Sequence, residues 1–576
     1  QYFRWQWLKF LRLLGSQEAK DAISSELQTM AEIQLGQGGE VGNMAAGLGK
    51  GTPTGLQGEV GVDTGAGEGA DVGAGADGAA QEDGGWEGGL SGLSRRICEA
   101  AEIKGLLEQN TEELDSLLKA LDGSYVLPGV GGDLLRDGAG VLPTGRNMHA
   151  LDPYRMPSPA AWARGQEAAR KILEAHVVST GAYPETVAVS ERFPCPFRSL
   201  HTRFIDCVCV RLFFVSAQTQ RHLPPPRPFP SPPQVMMWGL DAIKTRGESV
   251  AIALALVGAR PVKEATGRVV KYELVPLREL NRPRVDVLAS LSGIFRDSFA
   301  NVVDLLDDLF EEAAAASEEP VEMNFIRKHT LELKEKGVER PAARLFSNPA
   351  GDFGSMVNER VGTGDWEDGE ALGQTWRSRN SFSYGKGGER GQARPEVLQG
   401  LLESTERIVQ EIDSVEYGLT DIQEYYSNTG ALKRAAETAQ QTAETSGTRA
   451  TRRPVGVSVV EAYGKEVQPR ELEATLRMEY RTKLLNPKWA EAMSKQGSGG
   501  AYEISQRMTA MIGWSGTSGF AEEWVYDGAA ETYALDEEMA AKLRKANPEA
   551  FQNILKRMLE ANGRGFWDPD DDVSTR

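Results

Sequence analysis

Val235-Met-Met-Trp-Gly-Leu-Asp-Ala-Ile-Lys-Thr-Arg-Gly-Glu-Ser249 opens on a short apolar run, turns at a glycine and continues with apolar residues at helical spacing. It reads as a buried strand over 235–238 feeding a helix over 241–257. Downstream the types keep alternating: an extended stretch over 268–275, a strand over 285–291 and a helix over 295–312. Upstream, Pro184-Glu-Thr-Val-Ala-Val-Ser190 reads as another buried strand. Strand and helix in alternation imply α/β layering. In such sheets ligands bind where loops leave the carboxyl ends of the strands, which is where 239–241 and 290–297 belong. From about Pro395 the pattern is mostly helical, with loops expected at 440–454, 497–500 and 513–519. The expected fold class is therefore α/β, mixed and multi-domain, with a layered middle (181–190 plus 235–394) and a largely helical C-terminal half (395–576).

Three stretches stand apart from that frame. Residues 34–92 are about one-third glycine with a single aromatic residue, Trp86, and cannot bury enough apolar area to offset ordering entropy, so a disordered insertion is expected. Residues 191–234 carry six arginines against two acids, three of the four cysteines, and Pro224-Pro-Pro-Arg-Pro-Phe-Pro-Ser-Pro-Pro233. They interrupt the strand ending at Ser190 and read as a foreign insertion, either a retained intron or a lineage-specific loop. Residues 1–33 read as a truncated helical stub. Its opening, with Trp5, Trp7, Phe10 and Leu11 among Arg4, Lys9 and Arg12, fits a core helix or one in peripheral contact with a membrane. Between these, 93–180 holds a helical pair over 97–121, a loop, and a helix over 160–174.

The net charge of −19 argues against nucleic acid as the main partner, because phosphate binding needs concentrated, unopposed Lys and Arg. No apolar run of 18 residues exists to form a transmembrane segment. Four cysteines give neither a disulfide framework nor paired zinc spacing, and a reducing compartment is expected. Ala46-Gly-Leu-Gly-Lys-Gly-Thr52 comes near a phosphate loop, but Met44 and Gly51 stand where a glycine and a Ser or Thr are required. Any ATP would have to be handled elsewhere.

Site-like chemistry is densest in Leu142-Pro-Thr-Gly-Arg-Asn-Met-His-Ala-Leu-Asp-Pro153, which sets Arg146, Asn147, His149 and Asp152 on a loop shaped by Pro143, Gly145 and Pro153. An N-capped turn leading into the next helix is the plainer reading of the same residues. The loop resembles the porphyrin-binding large subunit of the magnesium chelatase family. The likeness continues in order through Trp238 to Ser249, Val285-Asp-Val287, Ser292-Gly-Ile-Phe-Arg-Asp297, Asn324-Phe-Ile-Arg-Lys-His329, Arg344-Leu-Phe-Ser-Asn348 and Thr482-Lys-Leu-Leu-Asn-Pro-Lys-Trp489. It ends with Gly513-Trp-Ser-Gly-Thr-Ser-Gly519, Trp524-Val-Tyr526 and Leu559-Glu-Ala-Asn-Gly-Arg-Gly565. Cobalt chelatase large subunits share many of these segments, and His149 favours magnesium.

The resemblance implies ATP-dependent insertion of Mg2+, as substrate, into protoporphyrin IX, with ATP hydrolysed by a partner: an AAA+ motor subunit acting with an adaptor subunit. It also implies residence in the chloroplast stroma or at its envelope. A glutamate-bearing segment of the family falls upstream of Gln1, so the chain is expected to be a fragment, inactive alone. Cobalt chelation of a corrin precursor and a non-catalytic tetrapyrrole-binding scaffold are the alternatives.

Such chemistry needs bases for two pyrrole protons, oxygen ligands for a hard cation, and guanidinium groups for propionates. His149 and Glu248 are the catalytic candidates. Arg296 and Asp297, at a strand-to-helix junction, are candidates for a propionate and a hydrated cation, with mutual pairing as the competing arrangement. Trp514 and Thr517, in the loop expected at 513–519, would line a flat ligand unless Trp514 packs onto the next helix. His176, at a helix end, and His329, on a helix expected to face solvent, have structural readings. So does the acidic run Asp304, Asp307, Asp308, Glu311 and Glu312, whose spacing suggests a solvated face. The ligands of the metal are unknown at this stage.

Overall fold

The computed structural model describes residues 87–132, 138–148, 151–184, 187–190, 234–237, 239–387, 390–414, 417–447, 454–464 and 466–569. His149, the stub at 1–33, nearly all of 34–92 and the insertion at 191–233 lie outside the described residues. The chain forms two compact units, one of residues 7–106 and one of residues 1–6 with 107–576. In the first, the described part belongs to helix α1 (Glu87–Glu108), which begins inside the stretch expected to be disordered.

The second unit is built on strands that the sequence divides between two regions. From one edge the order is β10 (Arg390–Ala393), β9 (Phe382–Tyr384), β8 (Leu345–Ser347), β7 (Leu288–Leu291) and β4 (Gln234–Met237). On the other side stand β3 (Val187–Ser190), β11 (Arg407–Ile412), β12 (Gly456–Glu461) and β13 (Arg470–Glu471). Strands β4, β7 and β8 are mutually parallel, as are β3, β11 and β12, while β9, β10 and β13 pair antiparallel at the edges. β3 pairs with β11 and β4 with β7, and each also approaches the other's partner, so both lie between β11 and β7. The chain thus proceeds from the centre to β7 and β8, then returns to build β11 and β12 on the opposite side.

The stretch 395–576, expected to be mostly helical, contributes β11 to β13. β11 escaped the sequence reading because Gln410 and Glu411 break its apolar run, yet all six of its residues are buried. The loops expected at 497–500 and 513–519 are the first and last turns of one long helix, and the loop expected from 440 starts only after a helix has run to Thr445.

The insertion at 191–233 joins β3 to β4. Its removal is expected to leave one strand between β7 and β11 and to raise unfolding stability by up to roughly 3 kcal/mol, the closure entropy of a loop that long. Urea denaturation of the deleted and intact chains reads this directly; loss of cooperative unfolding in the deleted chain would contradict it.

Helix α2 (Glu112–Leu121) carries an apolar face that the leucine spacing at 114, 117, 118 and 121 foretold, but the face is not core. Those leucines are 56–76% exposed. Strands β1 (Gly129–Val130) and β2 (Asn147–Met148) form a small parallel ladder, with β2 inside the 142–153 stretch. Helix α3 (Pro159–Thr180) starts where Ser158 accepts the amide of Ala161 and Pro159 takes the first turn, and it stops at Gly181 in the left-handed region.

The helix expected over 241–257 is two helices, α4 (Gly239–Lys244) and α5 (Glu248–Val257), divided where Arg246 and Gly247 take positive φ. A Cβ at Gly247 would sit 2.3 Å from the Met156 side chain, so the break seats the chain entering α3. α5 is apolar all round because it is enclosed, with Gly165 of α3 so close to Ala251 that a Cβ there would approach to 2.4 Å. The helix expected over 295–312 also divides, at Phe299, into α6 (Gly293–Ser298) and α7 (Ala300–Ala315). The acidic run on α7 is not wholly solvated: Asp307 is buried, paired with Arg340 (2.6 Å) and accepting the amide of Lys386 (2.9 Å). His329, on α8 (Phe325–Glu335), is buried too, its Nδ1 2.8 Å from Asp286.

The C-terminal helices α9 (Ala431–Thr445), α10 (Leu472–Thr482), α11 (Gly497–Ser518) and α12 (Pro548–Gly563) enclose the larger hydrophobic core, with Trp376, Tyr425, Tyr480 and Trp514 inside it.

Candidate functional site

The carboxyl ends of the parallel strands all deliver polar residues to one edge. β4 leads into α4, β7 into α6, β8 into 348–355, β11 into Asp413 and the turn at 417–423, and β12 into 462–464. The reversal of strand order falls between the central strands and β11, the place where open α/β sheets commonly bind ligands. Lys244 at the end of α4 spans it, its Nζ 2.5 Å from Oδ2 of Asp413. The other oxygen of Asp413, Oδ1, is buried and has no hydrogen-bond partner among the described residues. Asp241, Glu248 and Glu411 are buried at the same edge. Among the described residues no group of three or more His, Cys, Asp or Glu is set to hold a metal ion.

Glu248 occupies the first turn of α5, where a carboxylate meets the positive end of the helix dipole. Its Oε2 accepts from Nε of Arg164 at 2.9 Å, and Arg164 donates onward to the carbonyls of Gly464 (2.9 Å) and Glu461 (3.3 Å). One arginine thereby fastens α3, α5 and the end of β12 together. Glu248 does stand at this edge, as a fixed carboxylate rather than a mobile one.

The chain leaving the 142–153 loop, at 153–158, packs beside the same edge. Asn147 donates from Nδ2 to the carbonyls of Val130 (2.6 Å) and Val141 (2.7 Å), and Arg146 lays its stem along Gly129. Asp152 accepts the amide of Tyr154 at 3.0 Å and opens the turn Pro153–Arg155. Asn301 holds the carbonyl of Pro153, the Tyr272 hydroxyl holds that of Met156, and the amide of Ser158 donates to the carbonyl of Arg246, close to Glu248. Asn147 and Asp152 therefore shape the loop with the atoms expected to bind ligand.

Arg296 and Asp297 adopt the competing arrangement. They form a two-pronged pair, Nε to Oδ1 at 2.7 Å and Nη2 to Oδ2 at 2.9 Å, while Nη1 donates to the carbonyls of Asn348 (2.9 Å) and Pro349 (3.0 Å). Hydrogen bonding to Asp297 keeps the Arg296 charge firmly in place against partial burial. With four of five donors engaged, Arg296 ties the end of β7 to the end of β8 and has little left for a propionate.

Trp514 and Thr517 correct the sequence reading most sharply. Both are buried in α11, where Thr517 donates to the carbonyl of Gly513 (2.7 Å) and Trp514 donates from Nε1 to that of Leu419 (3.0 Å). A flat ligand cannot lie on either, but Trp514 does position the turn that follows Asp413.

That turn is held by residues the sequence reading missed. Glu479 accepts the amides of Leu419 and Thr420, both at 2.9 Å, and Asp421 pairs with Lys483 and Arg507. Burial opposes ionisation of Asp421, and the two cations outweigh it, so its carboxyl lies below the usual range. The only local signal was the turn-forming sequence Gly418-Leu-Thr-Asp421.

Fold and site together define a mixed α/β protein with buried carboxylates at the switch point of its sheet. The CobN/Magnesium Chelatase family model matches residues 25–191 and 219–574, leaving out part of the insertion. The H subunit of the magnesium chelatase from Chlorobaculum parvum is 41% identical over 83% of this chain and 33% of its own length. The chloroplastic ChlH subunit of the magnesium chelatase from Oryza sativa subsp. indica is 37% identical over 79% of this chain and 29% of its own. The solved catalytic subunit of cobaltochelatase from Mycobacterium tuberculosis superposes with a TM-score of 0.69 at 26% identity, covering 82% of this chain and 36% of that one. This chain belongs to the CobN/magnesium chelatase family, and it spans about a third of the length of these relatives.

Proposed function

We propose that this chain is the C-terminal part of the porphyrin-holding large subunit of a magnesium chelatase. The substrates are Mg2+ and protoporphyrin IX, and ATP is hydrolysed by a separate AAA+ motor subunit working with an adaptor. The observation that carries the reading is Asp413, a buried carboxylate at the switch point with one oxygen held by Lys244 and the other without a hydrogen-bond partner among the described residues. Metal insertion must remove two pyrrole protons, and a buried carboxylate oxygen with open lone pairs is suited to accept one. His149 is proposed as a second proton acceptor on the loop that leads to this edge. Chloroplast residence, in the stroma or at the envelope, is part of the proposal and rests on the chloroplastic names of the rice relatives.

Cobalt insertion into a corrin precursor is the second reading, favoured by an aerobic cobaltochelatase subunit CobN from Sinorhizobium at 28% identity and by the solved cobaltochelatase subunit. Parallel fluorescence titrations of the full-length protein separate the two. Protoporphyrin IX is expected to bind at least tenfold more tightly than a corrin precursor, about 1.4 kcal/mol. The reverse order would favour cobalt, and no affinity for either would end both readings.

A further inference from the structure

Along α3, from Trp162 in its first turn to Val178 near its end, runs a groove of about 640 Å³. Its other walls are the end of α5 with the start of β5 (Ala259–Lys263), and the segment at 275–282. Trp162, Leu173, Val177, Tyr183 and Leu280 give it an apolar lining. Arg170 and Arg260 at its rim are each matched by glutamates, Arg170 by Glu167 and Glu174, Arg260 by Glu273 and Glu279.

Arg282 differs from them. Nη1 donates to the carbonyls of Leu256 (2.9 Å) and Pro283 (2.8 Å), and Nη2 to that of Ala255, so the guanidinium caps the end of α5. No carboxylate stands within ion-pair distance of it among the described residues. Burial, with Arg284 nearby, pushes its pKa down to about 10. An arginine has five N–H donors, and the three bonds to carbonyls leave Nε–H and one Nη2–H, the lateral fork that accepts a carboxylate two-pronged. An apolar concavity with one directed polar group is the usual form of a small-molecule site.

We propose that this groove binds a lipophilic monocarboxylate of the fatty-acid type, its chain along Trp162, Leu173 and Val177 and its head on the free edge of Arg282. The glutamates at the rim disfavour ligands of higher negative charge. The site lies at the amino end of the parallel strands and is separate from the site at Asp413.

The test is titration of the full chain with ω-bromolaurate and with the matching ω-bromo alcohol, reading bromine quenching of tryptophan and calorimetric heat. The acid is expected to saturate at least tenfold below the alcohol. Arg282→Gln should erase that difference. Val177→Trp, which fills the groove from a half-exposed helix position, should abolish binding of both even if Arg282→Gln disturbs folding. Trp162→Phe should remove most of the quench while the calorimetric affinity stays. Leu117→Glu, on the exposed face of α2, should change nothing. Equal affinity for acid and alcohol, binding that survives Val177→Trp, or binding lost in Leu117→Glu would each overturn the proposal.

Discussion

Under the proposed function, Asp413→Asn is expected to lower metal insertion by about 100-fold or more in the full-length protein assembled with the proposed motor and adaptor subunits, with tetrapyrrole affinity unchanged within a factor of about three. The magnitude is that of removing a general base, roughly 10²- to 10⁴-fold. Asparagine keeps the shape of the side chain and can still accept from Lys244, so the ion pair becomes a hydrogen bond from the ammonium to a neutral amide while the proton-accepting oxygen is lost. A fall confined to turnover marks an interaction made on the way to the transition state rather than in binding. Lys244→Gln is the companion: it releases Oδ2 of Asp413 without removing the carboxylate, and is expected to cost less than Asp413→Asn. Thermal melting of both variants separates loss of chemistry from loss of fold. If Asp413→Asn turned over at the normal rate, the switch point would not be where protons leave the macrocycle.

Asp413 could not be found in the sequence, and the reason is physical. Its environment is made by α4 and β12, whose residues lie more than 40 positions away on either side, and nothing within Glu411-Ile-Asp-Ser414 announces a site. The alternation over 235–315 was legible because each element there repeats an apolar spacing that local geometry dictates. What it could not show was that β11 and β12 return to the same sheet, since pairing register is a tertiary fact. Glu248 was legible only as a carboxylate after a glycine; that it opens α5 and is held by Arg164 depends on α3. Trp514 and Thr517 misled because glycines in Gly513-Trp-Ser-Gly-Thr-Ser-Gly519 read as loop signals. In the structure those glycines admit neighbours instead, with a Cβ at Gly513 landing 2.5 Å from the Tyr426 ring and one at Gly516 2.7 Å from Trp366. His329 misled for a related reason: Arg327 and Lys328 beside it face outward, while helical rotation turns the next position inward.

The interior placement of His329 leads to the largest expected loss of stability. Asp286, just before β7, is fully enclosed with Arg344, whose Nε lies 2.7 Å from Oδ1, and with His329, whose Nδ1 lies 2.8 Å from Oδ2. Arg344 also donates to the carbonyls of Pro341 (2.8 Å) and Ala343 (3.0 Å), and the amide of Val287 donates to Asp286 Oδ1. The group thus fastens β7, α8 and the chain entering β8. Burial alone would disfavour the ionised carboxyl, but Arg344 and His329 outweigh it and hold Asp286 below the ordinary aspartate range. Asp286→Asn is expected to cost about 3–5 kcal/mol, because a buried guanidinium loses its anion. Much of that is the penalty of the stranded charge, so Asp286→Asn with Arg344→Met should recover part of it in a double-mutant cycle. The sign with pH follows from the depressed value. Asp286 contributes fully above the unfolded aspartate pKa near 3.9, and its contribution fades as pH falls through the lower native value. Urea unfolding at neutral and acid pH should therefore show the gap between parent and Asp286→Asn narrowing only on the acid side. A single-variant cost below about 1 kcal/mol, or a gap that narrows toward alkaline pH instead, would mean that this group is not what locks the starts of β7 and β8 to α8.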